Sequence, residues 1–545
     1  MHDTKYEIRD ARFGPTVSIL IPTFNRPRYL SEALASALYQ SYKNLQVIVV
    51  ADGGQDVSDI INSFNDPRLI FISRKENRGK AFSLNQALAR AEGKYIAYLD
   101  DDDIYYPHHI ETLVDALEEQ TECQVAYSDL YKTYCKVAPD GSRQVLSKVV
   151  EISRDFDRFL MLYFNHVLHV CLMHSRDLIE KTGPYNEKLN VLIDWDMTRR
   201  LAFFSDFYHV HEITGEFYSP VGECDRISIQ RRKDESQYLS NVLAIRTTRP
   251  AKPWSKVEDM SIIFVIEKLS QQAGQTIGSI WRHTFYPYKL YLPLPQADFA
   301  RLNTDMPNVV LVPVNPLDCQ TKRIDAALAQ CDGKYVAIVP SSFPIEQMWV
   351  ENALYALINS SVNGQAFELE GSTDSLWAAV VTKDDLQYAR KSFPSLTLPQ
   401  SLKAAEIRLR QPNFEELPFQ FDDLLQQAQL AEKDGNWAKA AQMFEYIAQR
   451  YQNELWMKTL AAKAFYKAGD HIKASKLSSE INQRRPTVDT LLLEAKVSKE
   501  KKNFNTAIEL LKTAEQILRP PLLRVCEANR RGLVPRQIDR ESREI

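Results

Sequence analysis

GKYIAYLDDDD, from Gly93 to Asp103, is an apolar strand that runs without a turn into four consecutive aspartates. Upstream of it, β-rich runs alternate with helical periodicity. VSILIP (Val17–Pro22) is followed by a helix over Arg28–Gln40, then LQVIVVAD (Leu45–Asp52) by a helix over Val57–Asn65. LIFIS (Leu69–Ser73) is followed by a helix over Ala81–Ala91. This alternation predicts an α/β fold with a parallel-dominated sheet and helices on both faces. Ligands of such sheets sit beyond the carboxyl ends of the strands. Two polar clusters fall there, Asp52-Gly53-Gly54 and Asp100–Asp103.

Four like charges at one strand end repel, and a counterion relieves them. Hard divalent cations favour carboxylate oxygens and keep positions open for phosphate oxygens. The competing reading is a solvated acidic loop. No GxGxxG follows the first strand, which disfavours dinucleotide binding. The 545 residues predict three to four domains at ~150 residues each. With 44% hydrophobic and 25% charged residues and a net charge of −4, the chain reads as globular, with no basic excess for nucleic acid. Only 17 glycines exclude a fibrous chain. The apolar runs fall short of the ~18–20 residues of a membrane span, and Met1–Asp10 is unlike a signal peptide. Seven scattered cysteines without a CxxC suit a reducing compartment. The expected location is the cytoplasm, at most peripheral to the inner face of a membrane.

The chain also repeats itself. Ser261-Ile262-Ile263-Phe264-Val265 follows Ser18-Ile19-Leu20-Ile21-Pro22 at an offset of 243, and Gly333-Lys334-Tyr335 echoes Gly93-Lys94-Tyr95. Leu376–Leu386 resembles His169–Leu178 in the same order. A second α/β unit is therefore expected at 255–415. From about Phe421 the chain turns helical. Gly435–Ala440, Gly469–Ala474 and Lys502–Ala507 recur at spacings of 34 and 33, the tetratricopeptide (TPR) period. The expected division is 1–250, 255–415, helical repeats at 416–520 and a polar tail at 521–545.

A series of motifs carries a resemblance. Pro22-Thr23-Phe24-Asn25-Arg26, Val49–Gly54, Asn77-Arg78-Gly79-Lys80, Gly93–Asp103, Ser175–Leu178, Gly183–Glu187 and Asp194-Trp195-Asp196 occur in order. From Thr16 to about Ser228 the chain resembles a family 2 glycosyltransferase of the GT-A fold. The resemblance implies an inverting, metal-dependent hexosyltransferase using a nucleotide-diphosphate sugar, with a UDP-sugar as the leading donor. The acceptor would be a glycan, a lipid-linked saccharide or a protein, and the setting polysaccharide biosynthesis or protein glycosylation.

The resemblance also implies roles. Asp52 would contact the base, and Pro22, Thr23, Asn25 and Arg26 line the loop where base and ribose pack. Asp100 and Asp101 would reach the ribose, and Asp102, with Asp100, would hold Mn²⁺ or Mg²⁺. Arg78 and Lys80 would add positive charge at the diphosphate. Asp194 matches the catalytic base, with Asp196 as second candidate; a base must lie within hydrogen-bond reach of the acceptor hydroxyl. His169 and Trp195 fall in the acceptor region, and His209 or His211 is a candidate to approach the metal. Two positions depart from the pattern: Ala51-Asp52 replaces a pair of aspartates, and Leu84 stands where relatives commonly carry Arg.

The second unit lacks these groups. Its strand ends in Val339-Pro340-Ser341-Ser342, the Pro-Thr-Phe-Asn-Arg segment becomes Val265-Ile266-Glu267-Lys268-Leu269, and aligning Arg410 with Arg200 puts Ala404 at the base position. The expectation is an inactive GT-A-like copy, with TPR-like repeats that engage a protein partner. The rival reading is a non-catalytic TPR scaffold carrying inactive glycosyltransferase-like domains.

Overall fold

The runs Val17–Thr23 (β1) and Leu45–Ala51 (β2) are apolar almost throughout and buried, as expected of parallel strands covered on both faces. They belong to a computed structural model that describes residues 14–150, 152–221, 235–266, 268–302, 308–341, 343–346, 348–358, 364–367, 378–410, 420–450 and 455–518. The expected tail at 521–545, Ser228, Glu267, Ser342 and the first two residues of Leu376–Leu386 lie outside the described residues.

Leu69–Ser73 (β3), Tyr95–Tyr98 (β4), Ile104–Tyr105 (β5), Cys123–Val137 (β6), Arg143–Val149 (β7), Leu172–Ser175 (β8) and Asp206–Pro220 (β9) complete the first sheet. Among the described residues its order is β3-β2-β1-β4-β8-β6-β9-β5, with β7 on β6. β1 pairs in parallel with β2 and β4, and β8 runs antiparallel between β4 and β6. This is a mixed sheet, parallel at β1, β2, β3 and β4, as the alternation of strands and helices predicts. The carboxyl ends of β1, β2 and β4 open on the same edge, which brings Thr23, Asp52 and Asp100 together.

A second sheet comprises Met260–Val265 (β10), Tyr288–Leu294 (β11), Val309–Pro313 (β12), Tyr335–Pro340 (β13), Gly364–Phe367 (β14), Ala378–Thr382 (β15) and Leu409–Arg410 (β16). Its order, β12-β11-β10-β13-β15-β14-β16, follows the same path as β3-β2-β1-β4-β8-β6-β9. One continuous apolar core runs from Val17 to Val380 through both units. Phe159 stacks on Tyr286 at 5.5 Å, and the buried Arg199 guanidinium donates to the carbonyl of Phe285. Alignment of Arg410 with Arg200 does not hold. Arg410 lies in β16, whereas Arg200 lies in the helix Ile193–Leu201. In chain order the counterpart of that helix is Leu398–Ala404, so Pro399 takes the place of Asp194, and Ala404 is at the far end.

Beyond the second sheet come the helices Gln420–Lys433, Trp437–Arg450, Leu455–Lys467, His471–Arg484, Val488–Glu500 and Phe504–Leu518. Consecutive helices pack on one another. Gly435 (φ 72°) and Gly469 (φ 87°) make the turns that need left-handed backbone, and Lys502 (φ 62°) makes the third. A side chain in that conformation is why the third repeat is fainter in sequence. The last two of these helices pack on β7. No helix among the described residues is long and apolar enough to cross a membrane.

Candidate active site

The end of β1 turns sharply into a helix over Pro27–Leu38, and Asn25 adopts φ 55° to make the turn. Its side-chain oxygen accepts the N–H of Gln55 (2.8 Å), tying this turn to the Gly53-Gly54 loop after β2. Both glycines have positive φ, and a Cβ on Gly54 would lie 2.1 Å from that Asn25 oxygen. Pro22 is half-buried in β1 and pairs with Val50.

Asp52 is buried, and its carboxylate accepts the N–H groups of Arg78 and Gly79, both at 2.7 Å, while pairing with Arg74. It thereby pins the loop that begins the helix Lys80–Leu88. The Arg78 guanidinium lies over the Phe82 ring, 3.5 Å from its centroid. Next along the chain, the Lys80 ammonium sits 2.5 Å from an Asp100 oxygen.

Each member of the acidic run has its own environment. Asp100 pairs with Lys80; burial would raise its pKa, and the ammonium outweighs that, so the group lies below its ordinary value. Asp101 turns inward. It accepts the Thr23 hydroxyl (2.8 Å), the Phe24 N–H (3.3 Å) and Arg26 (3.3 Å). Burial, with the Asp102 charge behind it, pushes its pKa up to about 7. Asp101 braces the β1 turn and is not open to a ribose, and its bond to Thr23 occupies that hydroxyl too. Asp102 accepts Arg26 at 2.6 Å, and its backbone carbonyl accepts Arg143 at 2.6 Å. Asp103 is buried and accepts the N–H of Tyr218 at 2.9 Å. Burial opposes the charge of Arg26, but Asp102 and Asp101 more than offset it, and its pKa is raised.

Oxygens of Asp100, Asp102 and Asp103 lie within 4.8 Å of one another. Three carboxylates so close form a hard-oxygen donor set that fits a Mg²⁺- or Mn²⁺-type cation. Asp103 belongs to the run read from the sequence, but the resemblance gave it no part in holding a metal.

Asp194 lies in the first turn of the helix Ile193–Leu201, after Leu192 at φ 61°. A bulky residue in that region is strained, a feature that clusters at functional sites. One Asp194 oxygen accepts the Asn165 amide at 3.3 Å, and Asn165 is held in turn by the Thr198 hydroxyl at 3.3 Å. Asn165 carried no sequence signal; it reaches Asp194 across 29 residues. The charges of Asp194 and Asp102 both bear on Lys80. With Asp100 they outweigh its burial and raise its pKa. Lys80 therefore joins the acidic run to Asp194.

Five expected residues face elsewhere. Asp196 is buried and paired with Arg200 at 2.7 Å, because two residues along a helix turn a side chain to the opposite flank. Trp195 is in the core, its indole N–H donating to the Met161 carbonyl at 2.9 Å. His169 is buried, stacked on Tyr98 at 3.9 Å between centroids and bonded to the Tyr185 hydroxyl at 2.7 Å. Burial, with Lys80 adding to it, lowers its pKa to about 3, so it supports the floor of the site as a neutral ring. His209 and His211 join Asp129 and not the acidic run.

Residues 18–176 match the family described as "Glycosyl transferase family 2". An uncharacterized glycosyltransferase of Rickettsia prowazekii is 32% identical over 210 residues, 37% of this chain and 63% of that protein. The hyaluronan synthase of Pasteurella multocida is 32% identical over 222 residues, 40% of this chain and 21% of the synthase. The chain thus spans less than two thirds of the length of these curated relatives. Among solved structures, Staphylococcus aureus TarS 1–349 in complex with UDP-GlcNAc is 17% identical over 42% of this chain and 66% of that one, with a TM-score of 0.35. Residues 18–176 of this chain form a family 2 glycosyltransferase domain.

Proposed function

We propose that the chain transfers a sugar from a nucleoside diphosphate donor to a hydroxyl acceptor with inversion at the anomeric carbon. The observation that carries this reading is the position of Lys80, 2.5 Å from Asp100 and under the charges of both Asp102 and Asp194. Lys80 thus lies under the charges of the carboxylates at the end of β4 and of a separate carboxylate on a helix.

Asp100 and Asp102, with Asp103, are the residues that would hold a divalent cation, Mn²⁺ or Mg²⁺. Such an ion supplies charge stabilisation to a departing diphosphate. Lys80 and Arg26 pair with these carboxylates and can turn their charge to the donor's phosphates. Asp194, oriented by Asn165, takes the proton of the acceptor hydroxyl. That oxygen forms the new bond to the anomeric carbon as the bond to the diphosphate breaks, and the electron pair leaves with the nucleoside diphosphate. Attack opposite the leaving group inverts the configuration. The stretch shared with a hyaluronan synthase supports a glycan acceptor, and a UDP-sugar is the first donor to try. The second α/β unit, with the same strand order and no acidic run, reads as an inactive copy, and the helical pairs as a partner-binding array of the TPR kind.

The test is donor turnover over a panel of nucleotide sugars with Mn²⁺ or Mg²⁺, comparing wild type with Asp102→Ala. Turnover that falls at least ~10²-fold supports the reading, on the scale of a lost charge-stabilising group. Equal turnover in both proteins removes Asp102 from the site, and none with any donor favours the non-catalytic scaffold.

A further inference from the structure

A second group of ligating side chains lies on the first sheet, apart from the acidic run. His209 stacks on Tyr127 of the neighbouring strand at 4.5 Å between centroids. The ladder between β6 and β9 then slips: Ser128 pairs with Val210, but Asp129 pairs with Ile213, leaving His211 and Glu212 in a bulge. Bulges re-aim side chains, and here His211 comes to lie beside His209, 4.1 Å between ring centroids. One ligating atom from each of Asp129, His209 and His211 falls within 4.8 Å of the others. Asp155 completes the ring, 2.8 Å from His209 Nδ1 and 3.0 Å from His211 Nε2.

We propose that Asp129, His209, His211 and Asp155 form a binding site for a transition-metal ion of the zinc class, separate from the carboxylate site at the end of β4. Two imidazoles with carboxylates select zinc-type ions over Mg²⁺ or Ca²⁺, which prefer oxygen alone. The outer partners are those a metal ligand needs. Asp129 directs Oδ1 to His209 Nε2 at 2.9 Å, while its other oxygen accepts the Ser153 hydroxyl at 3.0 Å and pairs with Arg485. Such contacts fix a ligand's orientation. His209 and Asp129 are buried, whereas His211 (42% exposed) and Asp155 (43%) leave a way in from solvent. A small cavity adjoins the group, lined by Asp129, Ser153, Arg154 and His166.

Arg485 and Pro486 connect the helices His471–Arg484 and Val488–Glu500, and the Pro486 carbonyl accepts the Tyr131 hydroxyl at 2.8 Å. The site therefore sits where the helical array docks on β6, and a bound ion fixes the carboxylate that Arg485 grips.

The experiment is a Co²⁺ titration of the full metal-stripped chain, read by visible d–d absorption, in wild type and in Asp102→Asn, which weakens the other site. One equivalent with the same spectrum is expected in both proteins. His211→Ala and Asp155→Asn change exposed side chains, so they leave the fold intact by circular dichroism, and they weaken Co²⁺ binding at least ~10-fold, the effect typical of a lost ligand or its partner. No d–d absorption in the wild type, or an affinity unchanged by both substitutions, overturns the proposal.

Discussion

The two sheets follow the same path of strands, yet one edge carries an acidic run and the other does not. What they share is packing. The Ser18 hydroxyl accepts the Gly93 N–H at 2.9 Å, and the Ser261 hydroxyl accepts the Gly333 N–H at 3.1 Å. The Arg176 N–H reaches the Lys94 carbonyl at 2.9 Å, and the Lys383 N–H reaches the Lys334 carbonyl at 2.8 Å. What differs lies past the strand ends. β4 runs into Asp100–Asp103, whereas β13 ends at Pro340. Beyond β10 and β11 the second sheet holds the buried Arg323 guanidinium, which donates to the carbonyls of Ile266, Pro293, Pro316 and Asp318. The strand core and the polar strand ends are thus separable, and the second unit keeps the first without the acidic run.

The strongest way to break that contrast is at the base. Asp194→Asn should lower the rate of transfer ~10²–10⁴-fold, the usual share of a general base. The fold should survive, because Asp194 accepts its amide bond from Asn165 at a long 3.3 Å. Pro399→Asp, at the corresponding place in the second unit, should leave transfer unchanged. Steady-state kinetics on both variants decides the matter; full activity in Asp194→Asn would remove the base from the first site.

How much of this was legible follows the same division. The strands of both units were readable because parallel strands buried on two faces must be apolar runs. The acidic run was readable because four like charges at a strand end need an explanation. Direction was not readable. Asp194, Trp195 and Asp196 are adjacent in sequence, but helix geometry turns Asp194 toward Asn165 and buries the other two in a core and an ion pair. The same holds for Asp101, whose inward turn depends on Thr23 and Arg26 from another strand end. Asn165 and the pairing of His209 with Asp129 arise only from chain folding over 29 and 80 residues. The Ala404 alignment failed because one matching arginine does not define a helix register.

A second test compares the twin glycines. A Cβ on Gly93 would lie 2.6 Å from the Ser18 nitrogen, and one on Gly333 would lie 2.7 Å from the Ser261 nitrogen. Backbone cannot give way as a flexible side chain does. Gly93→Ala and Gly333→Ala should each cost about 3 kcal/mol, at the upper end for an overpacked core. Denaturant unfolding measures it. A large loss at one glycine and none at the other would show that the two units do not share this packing.

Acidity offers a third, smaller comparison. Glu351 is fully buried in the second unit, and burial pushes its pKa up to about 7 although it accepts the N–H groups of Phe285 and Tyr286. The unfolded chain holds that carboxyl near 4.5. Between those values the folded state binds the extra proton, so stability falls as pH rises, by up to about 1.4 kcal/mol per pH unit. Below 4.5 the contribution is full; above about 7 it is gone. Glu351→Gln should flatten this part of the profile in melts from pH 4.5 to 7. Asp101, also raised to about 7, acts in the same direction in the first unit. An unchanged slope in Glu351→Gln would assign the whole dependence to the first unit.

The smallest effect is expected at the paired serines. Ser18→Ala removes the acceptor of the Gly93 N–H and also the donor to the Gln46 side chain at 2.6 Å. The Gln46 oxygen keeps the Glu92 N–H at 2.9 Å, so the uncompensated loss is the buried Gly93 N–H. Ser261→Ala removes the acceptor of the Gly333 N–H and the contacts of that hydroxyl with Tyr291 and Cys331, which are looser than the 2.6 Å bond from Ser18 to Gln46. A buried donor left without a partner costs about 1–3 kcal/mol, so the variants should fall in that range with Ser18→Ala the larger. Thermal melts of both singles and the double give the order, and sites this far apart should add. Equal losses would mean that the Gln46 bond contributes nothing to the first unit. A larger loss at Ser261 would mean that the second unit depends more heavily on the packing that both retain.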